Sequence, residues 1–140
     1  MSIRLLTLSL MLLTFGLAQA APVAVEEQLA QDHLKVMERF LEVAGGVKDV
    51  ASAKLAQPEL AALSKRNEEI FRKAKSLNIS HDAMVKYLQQ HYKARSEAVF
   101  KGIFSTMNTM SKVPEFEKIG DYIAKPVNDL SNTTWASGTF

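Results

Sequence analysis

The chain of 140 residues has no cysteine. That removes disulfide staples, thiolate nucleophiles and thiolate metal sites, so stability has to come from apolar burial. Glycine is scarce, and after the first twenty residues only Gly45, Gly46, Gly102, Gly120 and Gly138 remain, in no spacing that forms a phosphate-cradling loop. Charge of one sign is also lacking: 17 Lys and Arg stand against 15 Asp and Glu, a net +2. The isoelectric point near 8.9 therefore reflects near-neutrality with a small basic excess, which argues against nucleic acid as a partner. No segment alternates apolar and polar residues over a strand's length, and no solenoid-length repeat is present, so β and repeat architectures are set aside.

What is present begins with an address. Arg4 gives a short positive start, Leu5 to Ala18 is apolar, and Ala18-Gln19-Ala20 is a small-x-small cleavage site before Ala21. This pattern predicts a signal peptide over residues 1–20, cleaved between Ala20 and Ala21. Without a cysteine after it there is no lipoprotein anchor, and no later run is apolar enough to span a bilayer. The expected location is the bacterial periplasm or the exterior, with no membrane anchor left after cleavage.

Residues 21–130 are expected to form one all-α domain, an antiparallel bundle of three to four helices. The organising stretch is residues 47–77, in which Ala53, Ala56, Leu60, Leu63, Asn67, Ile70, Ala74 and Leu77 recur at alternating steps of three and four. That is one helical stripe, and only Asn67 interrupts it. A first helix is predicted from about Glu26 to Ala44, with Leu29, Val36, Phe40 and Val43 inward and Gly45-Gly46 as a left-handed stop. Asp49 should cap a short segment reaching Ala56, and Pro58 should then open the main second helix, which runs to Leu77 with Asn78 as its left-handed cap.

Ser80 is the predicted cap of a long third helix, from about His81 to Met110. Its inner edge would be Val85, Leu88, Tyr92, Val99, Ile103 and Met110, broadened by Met84, Tyr87, Phe100, Phe104 and Met107, with a bend or break at Gly102. A fourth segment follows Pro114, with Phe116, Ile119 and Ile123 at helical spacing, and Pro126 should stop or kink it at Ala124–Lys125. Residues 131–140 have turn composition and are expected to be a loose tail. The single tryptophan, Trp135, lies there, placed either to fold back on the bundle or to dock a partner.

Charge is segregated along the chain. Residues 21–50 carry three basic and six acidic groups, whereas residues 51–101 carry ten and five. An acidic first helix beside basic second and third helices would help to set their pairing.

The candidate chemistry is sparse. His33, His81 and His91 have no second histidine or carboxylate at metal-ligand spacing on their helices. Ser80-His81-Asp82 is no triad, because neighbouring residues at a helix start point different ways while capping accounts for the Ser and Asp. The stretch from Leu34 to Lys54 is similar to part of the soluble cytochrome b-type bundle. However, the axial methionine of that pattern belongs near the mature start and its histidine near the end, whereas Met37 lies inside helix one and no histidine follows His91.

The segment Lys48-Asp49-Val50-Ala51-Ser52-Ala53-Lys54-Leu55-Ala56-Gln57-Pro58 resembles one shared by a group of small secreted bacterial helical proteins, K-D-x-x-S-A-x-x-A-x-P between two helices. The resemblance implies a helical hairpin and carries no activity. The expectation is an exported, non-catalytic binding protein with no cofactor and no metal, whose partner is a protein, in an envelope-stress or chaperone-like role. The alternatives are an inhibitor or immunity-type protein that blocks a secreted enzyme through a helix face, and a haem-binding bundle.

Overall fold

Glu26 and Glu27 sit in the first turn of α1 (Val25–Gly45), where negative charge suits the positive end of the helix dipole. The structure is a computed structural model, which describes residues 24–136 in backbone and residues 24–133 in side chain. The predicted leader, with Ala18, Ala20 and Ala21, and the side chain of Trp135 lie outside the described residues. Among the described residues every regular element is a helix: α1, then α2 (Val50–Ser76), α3 (His81–His91), α4 (Lys93–Met110) and α5 (Phe116–Ala136). The all-α class expected from the sequence is what the chain adopts.

Side-chain pairs give the helix directions. His33 meets Asn67 and Arg39 meets Glu59, so α2 runs antiparallel to α1. Gln31 meets Tyr87, Glu38 meets Arg95 and Leu41 approaches Gly102, so α3 and α4 follow one another along α1 in its own direction. Ser64 reaches Pro126, and further along both helices Glu68, Phe71 and Arg72 share a cleft with Asn132 and Thr133, so α5 runs alongside α2 in the same sense. Rods of alternating direction, with α3 and α4 as two halves of one, are compatible with an antiparallel bundle. One core gathers Phe40, Ala53, Leu60, Ile119 and Ile123; a second gathers Leu29, Leu34, Ile70, Phe71, Met84 and Leu88 at the other end.

The local signals for helix starts hold. Asp49 caps α2 by accepting from the Ser52 amide at 2.7 Å, and the Ser52 hydroxyl accepts from the Asp49 amide at 3.0 Å, a reciprocal capping box. Ser80 caps α3 by accepting from the Ala83 amide. Asn78 takes the left-handed conformation after α2, at φ 56°.

Several expectations are corrected. The predicted short segment and second helix are one helix, because Pro58 lies inside α2 instead of opening it. A proline there removes the bond to the Lys54 carbonyl at a cost of about 3 kcal/mol. Pro58 and Lys54 are both exposed, so water can serve that carbonyl, while Ala53 and Leu60 on the inner face are fully buried. α5 likewise continues through Pro126 to Ala136, so residues 131–136 are helical rather than a loose tail. Leu130 is buried one turn beyond the proline, and the Thr133 hydroxyl donates to the Asp129 carbonyl.

The stop after α1 uses no left-handed glycine. Gly46 is right-handed at φ −79°, and the chain tightens through Val47, whose amide donates to the Ala44 carbonyl and whose side chain is buried. The third rod breaks at Tyr92 (φ −134°, ψ 35°), not at Gly102. Gly102 instead serves close approach: a Cβ there would sit 2.9 Å from Leu41 Cδ1. A side chain there would have to push the end of Leu41 aside, so glycine eases the contact of α4 with α1.

Candidate functional site

Three places on this scaffold carry unusual chemistry or exposure. The first is a polar seam inside the bundle. α1 contributes His33 and α2 contributes Ser64 and Asn67, all buried. His33 Nδ1 lies 2.7 Å from Asn67 Oδ1. An amide oxygen only accepts, so Nδ1 carries the proton and donates. The Ser64 hydroxyl donates to the Pro126 carbonyl at 2.6 Å, tying α2 to α5 at the proline. Each hydrogen bond satisfies a group whose burial would otherwise cost about 1–3 kcal/mol. Asn67, which interrupts the apolar stripe in the sequence, is therefore the partner that lets His33 sit inside.

Beside this seam, Phe71 lies between two histidines. The His33 ring meets it edge-on at 5.1 Å and the His81 ring is 5.6 Å away on a tilt. Burial pushes the His33 pKa below its ordinary value, against the raising effect of the Asn67 bond, and neighbouring His81 adds to the lowering. His81 is lowered too, chiefly by burial. The fold thus gathers two histidines that the sequence shows far apart. His91 stands elsewhere, stacked on Tyr87 at 4.5 Å. Among the described residues no three His, Asp or Glu side chains group as metal ligands would.

The second place is an open cleft of about 680 Å³ where α2 ends, the chain turns into α3, and α5 passes. Phe71, Ala74 and Ile79 line it along with Arg72, Lys75 and His81. The Ser80 hydroxyl at its edge is engaged by the Ala83 amide, and Asp82 points into solvent. Nothing here sets a nucleophile against a base.

The third place is the outer face of α4. Phe100, Phe104 and Met107 follow at steps of four and three, so they form one ridge, and they are 53%, 61% and 59% exposed. The rings of Phe100 and Phe104 pack edge to face at 5.1 Å. The adjoining flank of the helix, about a quarter-turn round, does the internal work: Val99, Ile103 and Met110 pack into the cores. Glu38 on α1 grips Arg95 through two bonds of 2.6 and 2.8 Å. Arg95 in turn stacks over the Tyr92 ring.

This overturns the expectation that Phe100, Phe104 and Met107 broaden the core arc. Phe40, Phe71, Tyr87 and Tyr92 do face inward, but a helix packed chiefly on α1 cannot bury apolar residues around its whole girth. The signal was available in the sequence. The apolar arc of this segment is wider than one helix–helix contact covers.

Among the described residues the fold and these sites define an all-α protein with a satisfied polar seam, an open cleft and an apolar outer ridge. Compared with protein-family models, with curated proteins and with solved structures, the chain matches none. No helix among the described residues is long and apolar enough to cross a membrane.

Proposed function

We propose that the chain is an exported, non-catalytic binding protein that holds apolar stretches of other envelope proteins against the outer face of α4, in a chaperone-like role. The observation that carries this is the exposed ridge of Phe100, Phe104 and Met107. Single exposed apolar residues are ordinary, but two stacked aromatic rings and a methionine in register on one helix form a contiguous patch of the kind that marks contact surfaces. Methionine adds adaptability, because its unbranched side chain repacks against varied partners. Export is supported by the Arg4 start, the apolar run and the cleavage site at Ala20 and Ala21.

The test is suppression of aggregation. The chain, mixed with a reduced, unfolding client, should lower light scattering and should bind a hydrophobic dye. The Phe100→Ser/Phe104→Ser variant should lose both while keeping its helical circular dichroism. A chain that leaves scattering unchanged, or a double variant that still protects, overturns the reading. Stoichiometric capture of one secreted enzyme with loss of its activity would point instead to the inhibitor alternative.

A further inference from the structure

We propose that the cleft between the end of α2, the start of α3 and the passing α5 binds a small anionic amphiphile, a short apolar chain that carries one carboxylate-like head. The site is separate from α4 and does not depend on the reading of its ridge.

The shape suits a small molecule. At about 680 Å³ the cleft falls within the roughly 300–1,000 Å³ usual for ligand pockets. Its floor is apolar: Phe71 and Ala74 are buried and Ile79 is half-buried. The His81 ring, 5.6 Å from Phe71 on a tilt, extends that floor into α3. Among the described residues no buried side-chain nitrogen or oxygen lacks a hydrogen bond, so the floor offers a ligand apolar contact and not a polar partner.

The rim supplies the charge. Arg72 and Lys75 both line the cleft and are exposed, and a spacing of three puts them on the same side of α2. Neither has an ion-pair or hydrogen-bond partner among the described residues, unlike Arg39 and Arg95, which carboxylates hold. The end of α2 does not engage them either, because the Leu77, Asn78 and Ile79 amides donate to the Lys73, Ala74 and Lys75 carbonyls. Glu68, one turn before Arg72, is the carboxylate on the lining. Burial lowers the His81 pKa, so its ring adds no charge at neutral pH. Two cations against one carboxylate leave the lining with a net positive charge.

The two halves of the site select together. An anion without a chain meets solvated cations, and an exposed ion pair contributes little alone. A chain without a head gains contact with the floor and leaves both cations unpaired. A molecule with both parts covers apolar surface and places its charge at the rim.

Amide chemical-shift titration of the chain with octanoate tests this, beside 1-octanol, acetate and octyltrimethylammonium. Octanoate should bind with a dissociation constant on the order of 1 mM, with shifts concentrated at residues 71–75 and 79–81. The three controls should shift those amides far less. Arg72→Ala/Lys75→Ala should weaken octanoate about fivefold. Arg72→Glu/Lys75→Glu, at exposed positions that leave the helical circular dichroism unchanged, should abolish octanoate binding and admit the octyltrimethylammonium cation. Phe100→Ser/Phe104→Ser should bind octanoate as the original chain does. Equal binding of octanoate and octanol, shifts centred on α4, or no saturable shift at these residues overturns the proposal. So does a chain that sediments with phosphatidylglycerol vesicles through Arg72 and Lys75 yet ignores octanoate, which would make the rim a membrane contact.

Discussion

α2 and α4 are both amphipathic helices packed on α1, yet they handle their apolar residues in opposite ways. α2 is covered on two sides, by α1 and α5, and its inner positions Ala53, Leu60, Ile70 and Ala74 are sealed. Even its polar intruders, Ser64 and Asn67, are buried and hydrogen-bonded. α4 lies on α1 with lighter support from α3, and Met110 alone among its residues is fully buried. Its largest side chains, Phe100 and Phe104, point outward. A helix covered along its length by two neighbours can use a wide apolar arc for stability; a helix supported chiefly by one has apolar surface left over, and that surplus is available for contact.

The contrast can be broken by substitution. The largest effect should come from Leu60→Ala, which opens a cavity at a fully buried position and should cost about 2–5 kcal/mol in urea unfolding. A loss below about 1 kcal/mol would mean that the α2–α5 contact is not the sealed core described. Next is Asn67→Ala, which leaves the buried His33 without its acceptor. The expected loss is about 1–3 kcal/mol, and thermal melts of the variant beside His33→Gln would show whether the seam acts as a unit.

A smaller effect should appear with pH. His33 and His81 both have pKa values lowered by burial, so the unfolded chain takes up protons first as pH falls. Their contribution to stability is whole above about pH 6.5, the unfolded histidine value, and is lost as pH drops below it. Melting temperature should therefore decline below that point, and less steeply in His33→Gln. An unchanged slope would show that His33 is not held neutral by the fold.

Much of the α2 side was legible in the sequence. The stripe from Ala53 to Ala74, the Asp49 and Ser80 caps and the Asn78 turn depend on neighbours within a few residues, and such signals survive without tertiary knowledge. Pro58 misled as a helix start, and Pro126 as a stop, for a physical reason: a proline breaks an isolated helix, but packing by Leu60 on one side and Leu130 on the other carries each helix onward. The break at Tyr92 has no composition signal, whereas Gly102, which looks like one, answers to Leu41 across the interface. The seam was half visible. Asn67 stood out as a polar residue in an apolar stripe, but its partner His33 lies on another helix, and only the antiparallel pairing of α1 with α2 brings them together.

The central claim is that the outer face of α4 contributes contact and not stability. Urea unfolding of Phe100→Ser/Phe104→Ser tests it directly. Exposed positions should shift the unfolding free energy by no more than about 0.5 kcal/mol each. A loss of several kcal/mol would contradict the account, by showing that the two rings are part of what holds the fold together.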